Sequence, residues 1–332
     1  MESIGITTAI PQEIVYAAGY APSDLNNLFI GSPHPRDLVR KAEAAGFPSN
    51  SCSWIKGLYA VARERKINKL IAVTNGDCSN TKALMEVLQS EGAMVIPFGY
   101  PSERSPRLLE RELKHLADSL GAAWDEVISW KERLDGIRRK LACFDRLCLS
   151  REHSSRENHL LLVRSSDMDQ CPGRFEQEVD QAIAEKEAAP FLPDYPRVGY
   201  IGVPPVIPGI YDFIDSLGAR VVYNEVQRQF SLPEPTDNLV DQYLNFTYPY
   251  DIQGRLRDIK QQISERTIEG IIHYTQSFCH RQIEDIVVRK TLSLPVLTLE
   301  IDQPGKLDGQ TKTRIEGFIE SLAARTRIIR ES

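Results

Sequence analysis

Short apolar runs alternate with amphipathic stretches through the first part of the chain, the pattern of a parallel sheet flanked by helices. Ile4-Gly5-Ile6 reads as a weak first strand. Pro11 opens a helix through about Gly19, Pro35 opens another ending near Gly46, and a third follows Cys52, with Ile55, Leu58, Tyr59 and Ala62 at helical spacing. Leu70-Ile71-Ala72-Val73 is a β-rich run, followed by the turn Thr74-Asn75-Gly76-Asp77, then Cys78 and a helix carrying Leu84, Val87 and Leu88. Met94-Val95-Ile96-Pro97 makes the next strand.

From Arg104 to about Arg151 the charged, periodic sequence predicts helices with polar faces turned to water, a connector between domains. Helical sequence runs on to Glu187, and Ala189-Pro190 with Pro193 to Pro196 form a stiff link into a second alternating region. There Val198 to Val203, Arg220 to Tyr223, Gly270 to Tyr274 and Pro295 to Leu299 are strands, with helices near 208–217, 251–266, 280–290 and 310–325. The reading is α/β: two doubly wound, flavodoxin- or Rossmann-like domains with parallel sheets, residues 1–150 carrying Cys52 and Cys78 and residues 151–332 carrying Cys279. No short-period repeat or low-complexity tract interrupts it.

Composition changes this picture little. The 332 residues are 42% hydrophobic and 26% charged, enough for about two domains with ordinary cores. No run approaches the roughly 18 apolar residues of a membrane helix, and Met1-Glu2-Ser3 lacks a secretory start, so the cytoplasm is the expected compartment. A net charge of -6 without basic clusters gives nucleic acid no footprint.

The six cysteines, at 52, 78, 143, 148, 171 and 279, form no CxxC pair, and a reducing cytoplasm argues against disulfides. Cys52, in Ser49-Asn50-Ser51-Cys52-Ser53, directly precedes a helix, where free N–H groups and the dipole favour a thiolate. Cys78 closes one strand and opens a helix, and Cys279 repeats that address after Gly270 to Tyr274, at the sheet edge where α/β proteins bind ligands. Two thiolates from one domain and one from the other thus converge on a soft metal centre if the domains face each other. Zinc held with His273 or His280 as fourth ligand competes with an iron–sulfur cluster, and unrelated core thiols compete with both. Cys143 and Cys148 point about 140° apart around their helix and Cys171 sits in a turn, so these three receive no chemistry.

At these residues the chain resembles the 2-hydroxyacyl-CoA dehydratase and benzoyl-CoA reductase family of iron–sulfur subunits. The likeness lies in Pro11 to Gly19, in Asn50-Ser51-Cys52-Ser53-Trp54-Ile55-Lys56-Gly57, in Cys78, in Gly270 to Cys279, and in Pro295 to Asp302 with Gly309 to Glu320. It implies a [4Fe–4S] cluster held by Cys52, Cys78 and Cys279 in the cleft between domains, with one iron left open. It also implies an ATP-hydrolysing activator as electron donor, which alone binds ATP, a homodimer or a heterodimer with a related subunit, and a small acyl-CoA-type substrate undergoing dehydration or reduction. The sequence departs from the family in its shorter length and in Gly76-Asp77-Cys78-Ser79-Asn80, where many members place an acid after the cysteine. A single-subunit branch with a double-cubane [8Fe–9S] cluster is a further reading, against which the placement of Cys143, Cys148 and Cys171 argues.

Ser53, Ser79, Asn80 and Ser277 flank the ligands and are read as hydrogen-bond donors to cluster or substrate, or as helix caps. His273 and His280 bracket Cys279 as candidate proton donors, and Glu13 with Arg314, Glu316 and Glu320 as cleft residues, each against a structural role. The function expected is the cluster-bearing component of a radical dehydratase or reductase. A non-catalytic electron carrier or cluster scaffold and a metal-free ligand-binding protein are its competitors.

Overall fold

The computed structural model describes residues 1–207, 209–231, 235–249 and 251–331. The chain begins with β1 (Glu2–Ile6), α1 (Gln12–Ala17), β2 (Tyr20–Asp24), α2 (Leu25–Ile30), α3 (Pro35–Ala44), α4 (Ser53–Glu64), β3 (Lys69–Asn75), α5 (Ser79–Ser90) and β4 (Met94–Gly99). Helices α6 (Pro106–Leu120), α7 (Trp124–Leu147), α8 (Ser155–Val163) and α9 (Pro172–Ala188) follow. The second set comprises β5 (Arg197–Gly202), α10 (Ile210–Ser216), β6 (Arg220–Asn224), α11 (Glu225–Ser231), α12 (Leu239–Leu244), α13 (Ile252–Glu265), β7 (Gly270–Thr275), α14 (His280–Thr291) and β8 (Val296–Glu300). Helix α15 (Gly309–Glu331) ends the fold.

Each set folds into a four-stranded, all-parallel sheet, in the orders β2-β1-β3-β4 and β6-β5-β7-β8. The protein is therefore α/β with two doubly wound sheets. The two sets match element for element: strand, helix, strand, three helices, strand, helix, strand. Strands β3 and β7 sit inside their sheets, and Leu70 to Val73 and Gly270 to Thr275 are buried, which explains their unbroken apolar character.

Helix starts at Pro35, Ser53, Ser79 and His280 fall where the capping and cysteine positions predict them. The helix expected over 208–217 runs Ile210–Ser216, with Pro208 outside the described residues. Strand β2 has no counterpart in the sequence reading, because Tyr-Ala-Pro-Ser-Asp carries no apolar run. As an edge strand paired only with β1, it tolerates Pro22 and owes its existence to that neighbour.

Helix α7 corrects the expectation of polar faces turned to water. Its Lys131, Asp135 and Arg138 are buried, with Arg138 Nη1 2.6 Å from Glu13 Oε1 and 3.0 Å from Asp135 Oδ1. Tyr243 Oη, from α12, donates to Glu13 Oε2 at 2.8 Å. The charges are buried because they are paired across α1, α7 and α12, elements far apart in sequence.

One hydrophobic core runs through both sheets, from Ile4 and Ile71 to Tyr200 and Tyr274. Trp54 Nε1 on α4 donates to Pro204 O after β5 at 3.0 Å, and Tyr100 packs on Phe246 with ring centroids 5.7 Å apart. These contacts seat the carboxyl end of one sheet against that of the other. No helix among the described residues is long and apolar enough to cross a membrane.

Candidate metal centre

Cys52, Cys78 and Cys279 are the N-cap residues of α4, α5 and α14, and none of the three sulfurs takes the capping hydrogen bond of its helix. All three line one cavity of about 610 Å³, together with Asn50, Asp77, Asn80, Tyr248, Phe278, His280 and Glu284. A second cavity of about 100 Å³ shares the three cysteines, Asp77, Tyr248 and His280 as its wall and continues between the sheets past Trp54, Leu58 and Val203. The thiols belong to the walls of both cavities.

Local chemistry sets each cysteine in place. Lys56, fully buried, donates to Ser49 O at 2.8 Å and to Glu43 Oε1 at 2.7 Å, which pins the loop before Cys52. Gly57 is required at the next position, since a Cβ there would meet the Phe29 ring at 2.4 Å. Gly76 adopts φ +88°, and a Cβ would meet Pro249 at 2.7 Å, so only glycine lets the β3 turn approach the second half so closely. Phe278, before Cys279, occupies the same left-handed region at φ +61° without glycine's freedom, and it is 76% exposed.

The thiols are not the anions that helix N-termini alone suggest. Burial pushes the Cys52 thiol up to about 12, against the pull of the Trp54 and Ile55 N–H groups, and Cys279 and Cys78 add to the rise. Burial also raises Cys78 and Cys279, opposed by the N–H groups of Thr81 and Asn80 at the one and of Arg281 at the other. Desolvation outweighs the helix ends because the thiols are largely buried in the cavity wall. Cys52 Sγ donates to Gln276 Oε1 at 3.0 Å, and Cys78 Sγ lies 3.7 Å from Thr81 Oγ1.

Several residues outside the sequence reading of the site organise it. Asp77 accepts from Tyr248 Oη at 2.6 Å, from Cys78 N at 2.7 Å and from Thr81 Oγ1 at 2.8 Å, and burial still holds its carboxyl above the ordinary range. Ser53 and Ser277 turn away from the sulfurs: Ser53 Oγ donates to Asp302 O, and Ser277 Oγ lies 2.7 Å from Asp302 Oδ2. Asp302 thereby ties α4 to the loop before Cys279. An acid directly before a cysteine was the visible signal for Asp77; Gln276, Tyr248 and Asp302 carried none.

The remaining predicted residues separate. His280 lies on the cavity wall, its imidazole held below the ordinary range by burial and by Arg281 and Arg255. Ser79 and Asn80 also line the cavity. His273 is fully buried in β7 with Nδ1 2.7 Å from Asp285 Oδ1, and it lines neither cysteine cavity. Glu13 belongs to the buried Arg138 network. Arg314 donates to Thr298 O at 2.7 Å from an exposed helix face, and Glu316 and Glu320 line neither cavity. Cys143, Cys148 and Cys171 lie outside both cavities.

Among the described residues, no three His, Cys, Asp or Glu side chains close on one point as ligands of a single ion. No curated protein matches the chain. The profile of the 2-hydroxyglutaryl-CoA dehydratase D-component family matches residues 7–322, a span that holds both sheets and all three cavity cysteines. The chain belongs to the 2-hydroxyglutaryl-CoA dehydratase D-component family.

Proposed function

We propose that this protein is the cluster-bearing component of a 2-hydroxyacyl-CoA dehydratase-type enzyme, with Cys52, Cys78 and Cys279 as ligands of a [4Fe–4S] cluster. The observation that carries the reading is the convergence of three helix N-caps from two sheets on one cavity. The donor set fits such a group: three free thiols line one cavity, and thiolates are the ligands of iron–sulfur clusters. Backbone N–H groups of Trp54, Ile55, Asn80, Thr81 and Arg281 already face the sulfurs, the contacts that tune cluster potential.

When bound, the group would supply a low-potential electron and an iron with an exchangeable position. The chain's own residues do the rest. Asp77, Gln276 and Asp302 hold the three ligand loops, and Trp54, Leu58 and Val203 give the smaller cavity an apolar wall. His280, by its position on the wall shared by both cavities, is assigned to proton delivery, whereas His273 and Glu13 are assigned to packing. The electron donor is proposed to be an ATP-hydrolysing activator, with ATP bound there and not here. A dimer, with itself or a related subunit, and a cytoplasmic setting complete the proposal.

Anaerobic purification tests it. The expected protein is brown and carries about four irons and four sulfides per chain. Replacing Cys52, Cys78 or Cys279 singly by Ala is expected to abolish iron retention, and Cys143→Ala to leave it intact. A colourless zinc protein, or unchanged iron in all three variants, would refute the assignment.

A further inference from the structure

A third cavity, of about 440 Å³, shares no lining residue with either cysteine cavity. Three arginines from three elements stand in its wall: Arg104 from the loop between β4 and α6, Arg228 from α11 and Arg257 from α13. Asp258 is the one carboxylate among the described lining residues. Three arginines less one aspartate give this wall a formal charge of +2, in a chain whose net charge is -6. Like charges gathered in a concave wall repel one another, and their field concentrates anions there.

The single acid is already engaged. Asp258 Oδ1 accepts from Arg228 Nη2 at 2.7 Å, and its Oδ2 accepts from Arg228 Nε at 3.0 Å and from Tyr223 Oη at 3.2 Å. This fork fixes the Arg228 guanidinium and leaves its Nη1 without a hydrogen bond among the described residues. Arg257 is exposed and makes neither an ion pair nor a hydrogen bond among them. Arg104 lies over Gly254, where an added Cβ would meet its Nη2 at 2.6 Å. Glycine is a poor helix former, and its place as the third residue of α13 is explained by the room it leaves for that guanidinium. The stretch at Thr236 is held from two sides: Gln242, 1% exposed, accepts from Thr236 N at 3.0 Å, and buried Lys131 donates to Thr236 O at 2.6 Å. The wall is formed before any ligand arrives.

We propose that this cavity is a phosphate site, in which Arg104, Arg228 and Arg257 hold the dianionic phosphate of a small molecule, either inorganic phosphate or a phosphate monoester. The charge of the wall selects the class. A phosphate monoester carries about two negative charges at neutral pH and offers three oxygens to guanidinium donors, whereas a carboxylate carries a single charge. No lysine, histidine or cysteine stands among the described lining residues, and the site holds a phosphate group without acting on it. It does not rest on the cluster reading, because it shares no residue with the cysteine walls.

Calorimetry on the full chain, isolated anaerobically in low-salt buffer, tests the site. Inorganic phosphate, ribose 5-phosphate, sulfate and acetate are titrated separately at about pH 5.5 and about pH 8, a range that spans the second ionisation of a phosphate monoester near about pH 6. Both phosphates are expected to bind, ribose 5-phosphate at least about threefold tighter at the higher pH, sulfate equally at both, and acetate at least about tenfold more weakly than either phosphate. Ribose 5-phosphate binding tighter than inorganic phosphate assigns the site to a monoester, and the reverse order assigns it to the free ion. Arg257→Gln is expected to weaken phosphate binding about tenfold, and Gly254→Ala about fivefold by displacing Arg104, neither lowering the melting temperature. No phosphate binding, or unchanged phosphate affinity in Arg257→Gln, would overturn the site. Unchanged affinity in Gly254→Ala would overturn the part given to Arg104, and acetate binding as tightly as phosphate would overturn the choice of ligand.

Discussion

The two halves of the molecule share strand order and helix order, yet they treat the same positions differently. Cys78 and Cys279 occupy one address, the step from the third strand of each sheet into the following helix. The helix before that strand begins at Cys52 in the first half and at Asp251 in the second. Asp251 caps its own helix through Gly254 N at 2.8 Å, whereas Cys52 caps nothing with its sulfur and reaches Gln276 of the other half. The residue just before each shared cysteine differs too: Asp77 is tied by three hydrogen bonds, and Phe278 is exposed. A duplicated frame supplies two equivalent cysteines, and departures from the duplication supply the third and the asymmetry of the cavity.

The largest test of this comparison concerns the buried ion pairs. Arg138→Ala strands Glu13 in the core, while Asp135 keeps Lys131, and is expected to cost about 3–5 kcal/mol in urea unfolding. Arg255→Ala strands Glu225 by a similar amount. Only the second change is expected to lower iron retention, because Arg255 also acts on Cys279 and holds Glu284 at the cavity wall. Equal iron loss in both variants would show that stability, not placement, governs the site.

Next comes the residue before each cysteine. Asp77→Ala removes the acceptor of three donors and is expected to cost about 2–3 kcal/mol, whereas Phe278→Ala is expected to stay within about 0.5 kcal/mol. Matching losses on thermal or urea unfolding would mean that the two loops are less different than their contacts indicate.

The last test reads a slope with pH and concerns the contact between Asp24, at the end of β2, and Asp167, between α8 and α9. Asp167 Oδ2 accepts from Asp24 N at 2.9 Å, and burial, with the Asp24 carboxyl beside it, lifts Asp167 from 3.8 up to about 7. The folded chain keeps a proton that the unfolded chain releases. Stability from this group is therefore full below pH 3.8 and falls as pH rises toward about 7, by at most about 1.4 kcal/mol per unit. Asp167→Asn is expected to flatten that slope in unfolding midpoints measured across the window; an unchanged slope would assign it to other groups.

Much of this was legible in one dimension. Strands β3, β5 and β7 announce themselves because sheets buried on both faces need continuous apolar runs, and the cysteines announce themselves because each stands at a strand-to-helix or loop-to-helix step. Strand β2 was hidden, since an edge strand with Pro22 carries no pattern of its own. The buried face of α7 was hidden for a related reason: charge in a helix reads as solvated until a partner such as Glu13 is seen across 125 residues of chain.

The sequence by itself determined the local addresses: which residues end strands, which begin helices, and that Cys52, Cys78 and Cys279 share that kind of position. Tertiary structure decided what those addresses face. Only the contact of two sheets at their carboxyl ends makes three thiols one wall and raises them by burial rather than lowering them. Local geometry follows from neighbours along the chain, whereas burial and shared cavity walls depend on atoms that sequence separation conceals.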